Sequence, residues 1–252
     1  MRAIYIPKGR AKEYSDYALN IYRGCSFGCK YCFSPATLYI ERQKFYSEQT
    51  VKRNLLYDVE KDCKQLKKAN FNSRVLLCFA CDPYQDIDLE LQMTREVLKL
   101  FKEYNINFQL LTKGGTRAIR DFDLYKPGDA FASTLTFIDS GKSRLWEPNA
   151  ALPEDRFAAL EAAHNHGIET WVSLEPVIEP EETHAIVDRT HEYVDLYKIE
   201  PINYNSDKKN AINWVKFAND MQERLHKYGK GYYLKEELQK LIKTDGHRRK
   251  ER

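Results

Sequence analysis

The chain has 252 residues, 42% hydrophobic and 31% charged, with a formal net charge of +3. This balance describes a soluble globular protein, long enough for one α/β barrel domain with a sizeable core, and it excludes a polycation that coats nucleic acid with its whole surface. No apolar run approaches the length that spans a bilayer, which argues against a membrane role.

Positive charge is concentrated in two places. The N-terminal arm, residues 1–17, carries Arg2, Lys8, Arg10 and Lys12 with Tyr5, Tyr14 and Tyr17 interleaved, and the chain ends His247-Arg248-Arg249-Lys250-Glu251-Arg252. Such a tail reads first as a solvated end and second as a phosphate contact. A strand is predicted over Ala18–Tyr22, followed by the cysteine-bearing run GCSFGCKYCF. Val51, Leu55, Val59, Cys63 and Leu66 then recur at helical spacing, which makes Cys63 a core residue. Val75–Phe79 is an apolar run of strand length, and a helix from about Thr94, its expected N-cap, to Tyr104 follows. Further strands are expected at Phe108–Thr112, Ala130–Phe137, Thr170–Leu174 and Val194–Ile199. Between them come a short helix around Arg117–Tyr125, a helix opened by Pro153 and closed by Gly167, and one opened by Pro180; a last helix covers about Asn210–Tyr228. His164 and His166 suit a helix C-terminus, and His184, His191 and His226 fall within helices.

Strands separated by helices imply parallel pairing through right-handed crossovers. About six such units make an α/β fold of the partial (β/α)6 barrel kind, one domain over residues 1–252 with 232–252 as a C-terminal extension. Ligand chemistry then belongs at the strand C-terminal ends, where Asp82, Thr112-Lys113, Ser133-Thr134, Glu175 and Glu200 stand.

Cys25, Cys29 and Cys32 are spaced C-x3-C-x2-C just after the first strand. Three thiolates can each hold one iron of a [4Fe–4S] cube and leave the fourth iron open to a ligand. A structural zinc knuckle needs a fourth ligand, and the first histidine is His164. A disulfide framework is weaker still: three clustered cysteines cannot pair among themselves, and neither end resembles a secretory signal, so a cytoplasmic location is expected.

With Tyr31 as its aromatic, C-x3-C-x-aromatic-C resembles the signature of the radical S-adenosylmethionine (SAM) superfamily. The resemblance implies a [4Fe–4S] cluster on Cys25, Cys29 and Cys32, SAM on the open iron, and reductive cleavage of SAM to a 5′-deoxyadenosyl radical that abstracts hydrogen from a substrate. It sharpens toward the spore photoproduct lyase-like branch through NIYRGCSFGCKYCF, CDPYQDIDLELQMTREVL, LLTKGGTRAIRD, STLTF, WEPNAALPEDRFAAL and WVSLEPVI. It implies SAM contacts at Asp82, Lys113 and Ser133 or Thr134, to which Tyr31 and Glu175 are added as cofactor-binding candidates. A pyrimidine in DNA is the implied substrate, undergoing repair, isomerisation or modification, with nucleic acid or a nucleotide as partner and a flavodoxin or ferredoxin as electron donor.

The branch keeps a hydrogen-donating cysteine three residues before the aspartate, where this chain has Phe79. That departure favours base modification or isomerisation over dimer reversal, unless a bulge turns Cys81 inward. Cys81 and Tyr84 are the catalytic candidates; Tyr84, Tyr197 and Tyr204 are placed to stack on a base or relay hydrogen. The alternatives are a radical SAM enzyme acting on a peptide or small metabolite, and a non-catalytic iron–sulfur or zinc module.

Overall fold

The structure is a computed structural model that describes residues 3–203 and 205–250. Its strands are β1 (Tyr17–Leu19), β2 (Tyr22–Arg23), β3 (Thr50–Val51), β4 (Arg74–Leu77), β5 (Asn107–Thr112), β6 (Ala130–Thr134), β7 (Glu169–Val177), β8 (Leu196–Pro201) and β9 (Gly231–Leu234). Seven of them form one sheet in the order β1-β4-β5-β6-β7-β8-β9, parallel at every step, while β2 and β3 pair antiparallel. The sheet curls as a partial barrel and does not close. The expected partial barrel is what forms, and a seventh strand, Gly231–Leu234 at the start of the expected extension, adds to it by pairing with β8. The rest of the extension is the helix Glu236–Lys250; the side chains of residues 245–250 and residues 251–252, which carry the basic tail, lie outside the described set.

Alternation along the strands sorts the side chains. Outward residues such as Val75, Leu77, Phe108, Leu110, Phe131, Val172 and Leu174 pack beneath the helices in the main core. Helix Leu55–Lys68 contributes Leu55, Val59, Cys63 and Leu66, and helix Met93–Tyr104 contributes Val97, Leu98 and Phe101. Ala18, Leu76, Ala130 and Ala132 line the lumen, and the rings of Tyr14 and Trp171 pack among them. No described helix is long and apolar enough to cross a membrane.

Tyr14 comes from the N-terminal arm, whose Lys8 and Lys12 are exposed. Ala11 and Tyr14 are buried, Gln109 Nε2 donates to the Tyr14 carbonyl at 2.7 Å, and Ser15 Oγ donates to the Arg74 carbonyl at 2.5 Å. Glu13 accepts from Tyr233 O–H at 3.1 Å and from Glu236 N–H at 2.9 Å. The arm thus ties β4 and β5 to β9 and spans the gap that a closing strand would fill.

Local rules explain the other differences. The expected strand Ala18–Tyr22 divides into β1 and β2, and the next ends at Leu77 rather than Phe79. Asn20 causes the second change: its Oδ1 accepts from both Phe79 N–H and Ala80 N–H at 2.8 Å, taking donors that a ladder would have used. Thr94 is not the N-cap, since the helix starts at Met93 and Thr94 Oγ1 donates to the Pro83 carbonyl at 2.5 Å. The Arg117–Tyr125 helix is a 3₁₀ helix over Gly115–Leu124, and the last predicted helix splits into Ser206–Ala211 and Trp214–Lys227, the second capped by Asn213. His164 and His166 do end their helix, with His166 Nδ1 2.7 Å from the Ala162 carbonyl.

Candidate functional site

At the C-terminal end of the barrel strands lies a cavity of about 460 Å³, a size that suits a small ligand. Cys25, Cys29 and Cys32 line it, with Tyr31, Phe33, Cys78, Phe79, Cys81, Asp82, Lys113, Thr134, Glu175, Glu200 and Lys235. The cysteine loop is held by partners far away in sequence. Cys25 N–H donates to the Phe45 carbonyl at 3.0 Å, Lys30 N–H to the Trp146 carbonyl at 2.8 Å, and Tyr46 O–H to the Cys29 carbonyl at 2.7 Å. Gln85 clamps it to the loop after β4, accepting from Ser26 N–H at 2.9 Å and donating to the Gly24 carbonyl at 3.2 Å. Gly24 has φ +77°, and a Cβ there would stand 2.2 Å from the Glu48 carbonyl oxygen, so only glycine permits this close approach.

Among the described residues no group of three or more His, Cys, Asp or Glu side chains is arranged to hold a single metal ion. Zinc would draw its ligands onto one point, whereas a cube takes each thiolate on a different iron and leaves the sulfurs apart around a shared space. Three cysteines bordering one cavity fit the second requirement. Burial pushes the Cys29 thiol up to about 12 and the Cys25 thiol well above its ordinary value, so thiolates here need a cationic partner.

Tyr31 joins a buried charge network that sequence reasoning missed. Its hydroxyl donates to Glu147 Oε1, and Arg156 NH2 lies 2.6 Å from Glu147 Oε2, both charged residues being 1% exposed. Arg156 also donates to the Ala151 carbonyl at 2.7 Å and the Thr134 carbonyl at 3.0 Å. Burial works against the Glu147 carboxylate, yet Arg156 and Lys113 hold its pKa below the usual range. Lys113 Nζ stands 5.8 Å from the Tyr31 ring centre; burial opposes its charge, but Cys29, Glu147 and Asp82 keep its pKa raised. The one signal in the sequence was a Glu and an Arg inside the run WEPNAALPEDR, with nothing to say that they meet.

The other expected residues separate. Asp82 lines the cavity, but its carboxylate already accepts from Tyr84 N–H, Thr112 O–H and Lys113 N–H at 2.7–2.9 Å, so it clamps the β4 and β5 loops together. Thr134 lines the cavity and Ser133 does not: adjacent strand residues point to opposite faces, and Ser133 Oγ donates outward to the Thr112 carbonyl at 3.2 Å. Tyr84 is likewise absent from the lining. It is 1% exposed and its hydroxyl donates to Asp121 Oδ2 at 3.0 Å. Tyr197 is buried against Thr190, and Tyr204 lies outside the described residues. Cys81 reaches the wall together with Cys78, because the chain has left the ladder at Leu77 and strand alternation no longer separates them. Glu175 is on the wall too, but its Oε2 accepts from Tyr14 O–H and from Lys235 Nζ.

The family model described as Radical SAM superfamily matches residues 19–194. An uncharacterized protein of Methanocaldococcus jannaschii is 25% identical over 77% of this chain and 73% of its own length. An uncharacterized protein of Mycobacterium tuberculosis is 26% identical over 64% of this chain and 49% of its own. Among solved structures, a spore photoproduct lyase mutant with bound AdoMet and dinucleoside spore photoproduct superimposes with TM-score 0.70, covering 91% of this chain and 78% of the lyase at 15% identity. Streptococcus suis SuiB bound to S-adenosylmethionine gives 0.66 over 86% of this chain and 49% of SuiB at 11% identity. The chain therefore spans about half the length of SuiB and of the mycobacterial protein. At such identities the structural likeness is one of fold.

Proposed function

The chain belongs to the radical SAM superfamily, and from that premise we propose that it acts on a pyrimidine base in DNA, with Cys81 as the thiol nearest the chemistry. The family uses a [4Fe–4S] cluster and SAM, which when bound and reduced supply a 5′-deoxyadenosyl radical that abstracts hydrogen from the substrate. In this chain Cys25, Cys29 and Cys32 would hold the cluster, Lys113 a carboxylate of SAM, and Thr134 a hydroxyl of its ribose. The rings of Phe33 and Phe79, their centres 5.1 Å apart, give that space an apolar wall. An external electron donor of ferredoxin or flavodoxin type completes the proposal.

The observation that carries the substrate class is the likeness to the lyase across nearly the whole chain, joined to a thiol pair on the cavity wall. With Phe79 alone in view, a substrate radical had no S–H to quench it. Cys78 and Cys81 alter that reading, since a thiol on the wall can give its hydrogen atom to a carbon radical and leave the base closed-shell, the unpaired electron passing to sulfur as a thiyl radical that one electron from the external donor and one proton return to the thiol. Reversal of a lesion is thereby favoured over rearrangement. SuiB supports the peptide reading through fold likeness alone.

Product analysis with spore photoproduct dinucleotide tests this. Wild type is expected to release thymine residues, and Cys81→Ala to lose or divert that product. Absence of turnover by either protein would overturn the reading. A second measurement addresses the cofactor pocket: Lys113→Ala is expected to weaken SAM binding by roughly 10- to 150-fold, the loss of one charge-assisted hydrogen bond, with iron content intact. Unchanged SAM affinity would show that the lysine serves the Tyr31 and Glu147 network only.

A further inference from the structure

The cysteine loop is covered from outside by the helix Arg42–Ser47, which reaches the backbone of all three cysteines. The Phe45 carbonyl accepts from Cys25 N–H at 3.0 Å, Tyr46 O–H donates to the Cys29 carbonyl at 2.7 Å, and Arg42 NH2 donates to the Cys32 carbonyl at 3.0 Å. Each contact joins the helix to a residue whose sulfur would sit on the cluster, so three short hydrogen-bonded paths lead inward from this face. Its outer side is open. Arg42 and Lys44 are exposed, as is Lys30, whose carbonyl lies 3.5 Å from Arg42 NH1. Just before the helix, Leu38 is 44% exposed and Tyr39 97%. Tyr39 also has φ +54°, in the left-handed region where a bulky side chain is uncommon, so the chain holds an aromatic ring out in water at a conformational cost.

Leu38, Tyr39, Arg42 and Lys44 do not line the cavity, so a substrate entering at the strand ends does not meet them. Charge gathers here as well: residues 23–53 carry six Lys and Arg side chains and two Glu, a surplus of four in a chain whose total is +3. Of the two acids, Glu41 caps the helix, accepting from Gln43 N–H at 2.9 Å and Lys44 N–H at 2.7 Å, and Glu48 makes a loose surface pair with Lys44 at 3.8 Å. We infer that the face around Tyr39, Arg42 and Lys44 is the docking surface for an acidic one-electron carrier protein of the flavodoxin or ferredoxin type. The inference rests on the cluster and the external donor of the reading above. Tyrosine and arginine are the common anchors of protein interfaces, and the basic surplus around them draws in a partner of negative charge. A patch of this small extent suits electron-transfer encounters, which bury little surface. The step is a single electron passing from the carrier, which is oxidised, to the cluster, which is reduced; no bond forms or breaks.

The test uses full-length protein with its cluster reconstituted and two electron sources, a reduced carrier protein and dithionite, a small ion that needs no docking surface. Binding of oxidised flavodoxin and ferredoxin, read by calorimetry, is expected for at least one of them, to weaken as salt rises, and to fall roughly tenfold or more in the double variant Tyr39→Ser with Lys44→Glu. Deoxyadenosine formation driven by that carrier, kept below saturation, should fall in step, while formation driven by dithionite stays at the wild-type rate. Unchanged carrier affinity in the double variant would overturn the assignment, as would a dithionite-driven rate that falls together with the carrier-driven one, because the two side chains would then support the cysteine loop. A variant that loses affinity for an oligonucleotide and keeps it for the carrier would give the face to the substrate instead. Wild type that is active with dithionite yet binds neither carrier overturns the docking surface alone. Wild type that forms no deoxyadenosine even with dithionite removes the cluster reading and this inference with it.

Discussion

Replacing Cys29 with alanine is expected to abolish the cluster and, with it, all cleavage of SAM. Cys29 is 7% exposed, its carbonyl is fixed by Tyr46 O–H, and it lines the cavity together with the other two cysteines. Two remaining thiolates cannot hold a cube that the protein ligates through three. Anaerobically reconstituted wild type should carry about four irons per chain and form 5′-deoxyadenosine once reduced. The variant should show neither the visible absorbance nor the nucleoside. Cys63→Ala, by contrast, removes a sulfur from the helix core and should keep the absorbance. Persistence of cluster and cleavage in the Cys29 variant would remove the basis for every cofactor role assigned above.

The second large effect is expected at Arg156. It and Glu147 are each 1% exposed, and their ion pair supports the hydroxyl of Tyr31 inside the cysteine loop. Arg156→Met leaves the Glu147 carboxylate buried with its main counter-charge gone. Breaking such a pair from one side typically costs about 3–5 kcal/mol. Urea denaturation of the apoprotein should show a loss of that order, and reconstituted protein should lose iron faster as Tyr31 is released. The double variant Glu147→Gln with Arg156→Met should regain most of the stability, because no charge is then left unpaired. A single-variant loss under about 1 kcal/mol would mean that water reaches Glu147 and that the pair contributes no more than a surface bridge.

Much of the fold is legible in the sequence. The alternation of apolar runs with amphipathic helices marked the strands from Val75 onward, since each run must bury itself on both faces while each helix buries only one. Proline at the start of the helices at Pro153 and Pro180 marked their N-termini for a purely local reason. The boundaries that failed were those set by a distant side chain. Asn20 ends β4 from 59 residues away, and Thr94 is tied to Pro83 instead of capping its helix. Strand β9 escaped notice because GYYL is short and half-buried, and only its pairing with β8 makes it part of the barrel.

The same division holds for the site. Cys25, Cys29, Cys32 and Tyr31 could be proposed from the sequence because eight consecutive residues carry the whole spacing, and all four line one cavity. That Thr134 and not Ser133 faces the cavity required the register of β6, since a shift of one residue exchanges the lumen for the outer face. Tyr84 looked like a site residue by position and proved to be core, whereas Tyr14 looked like part of a basic arm and proved to fill the lumen. Glu147, Arg156, Glu200 and Lys235 take their roles from partners 35 to 116 residues away, or from the neighbouring run of one loop and helix. Sequence by itself determined the chemistry that a local thiol spacing can encode and the alternation that builds a parallel barrel. Tertiary structure alone decided which charges share the lumen, because burial and pairing are properties of the closed space and not of any single segment.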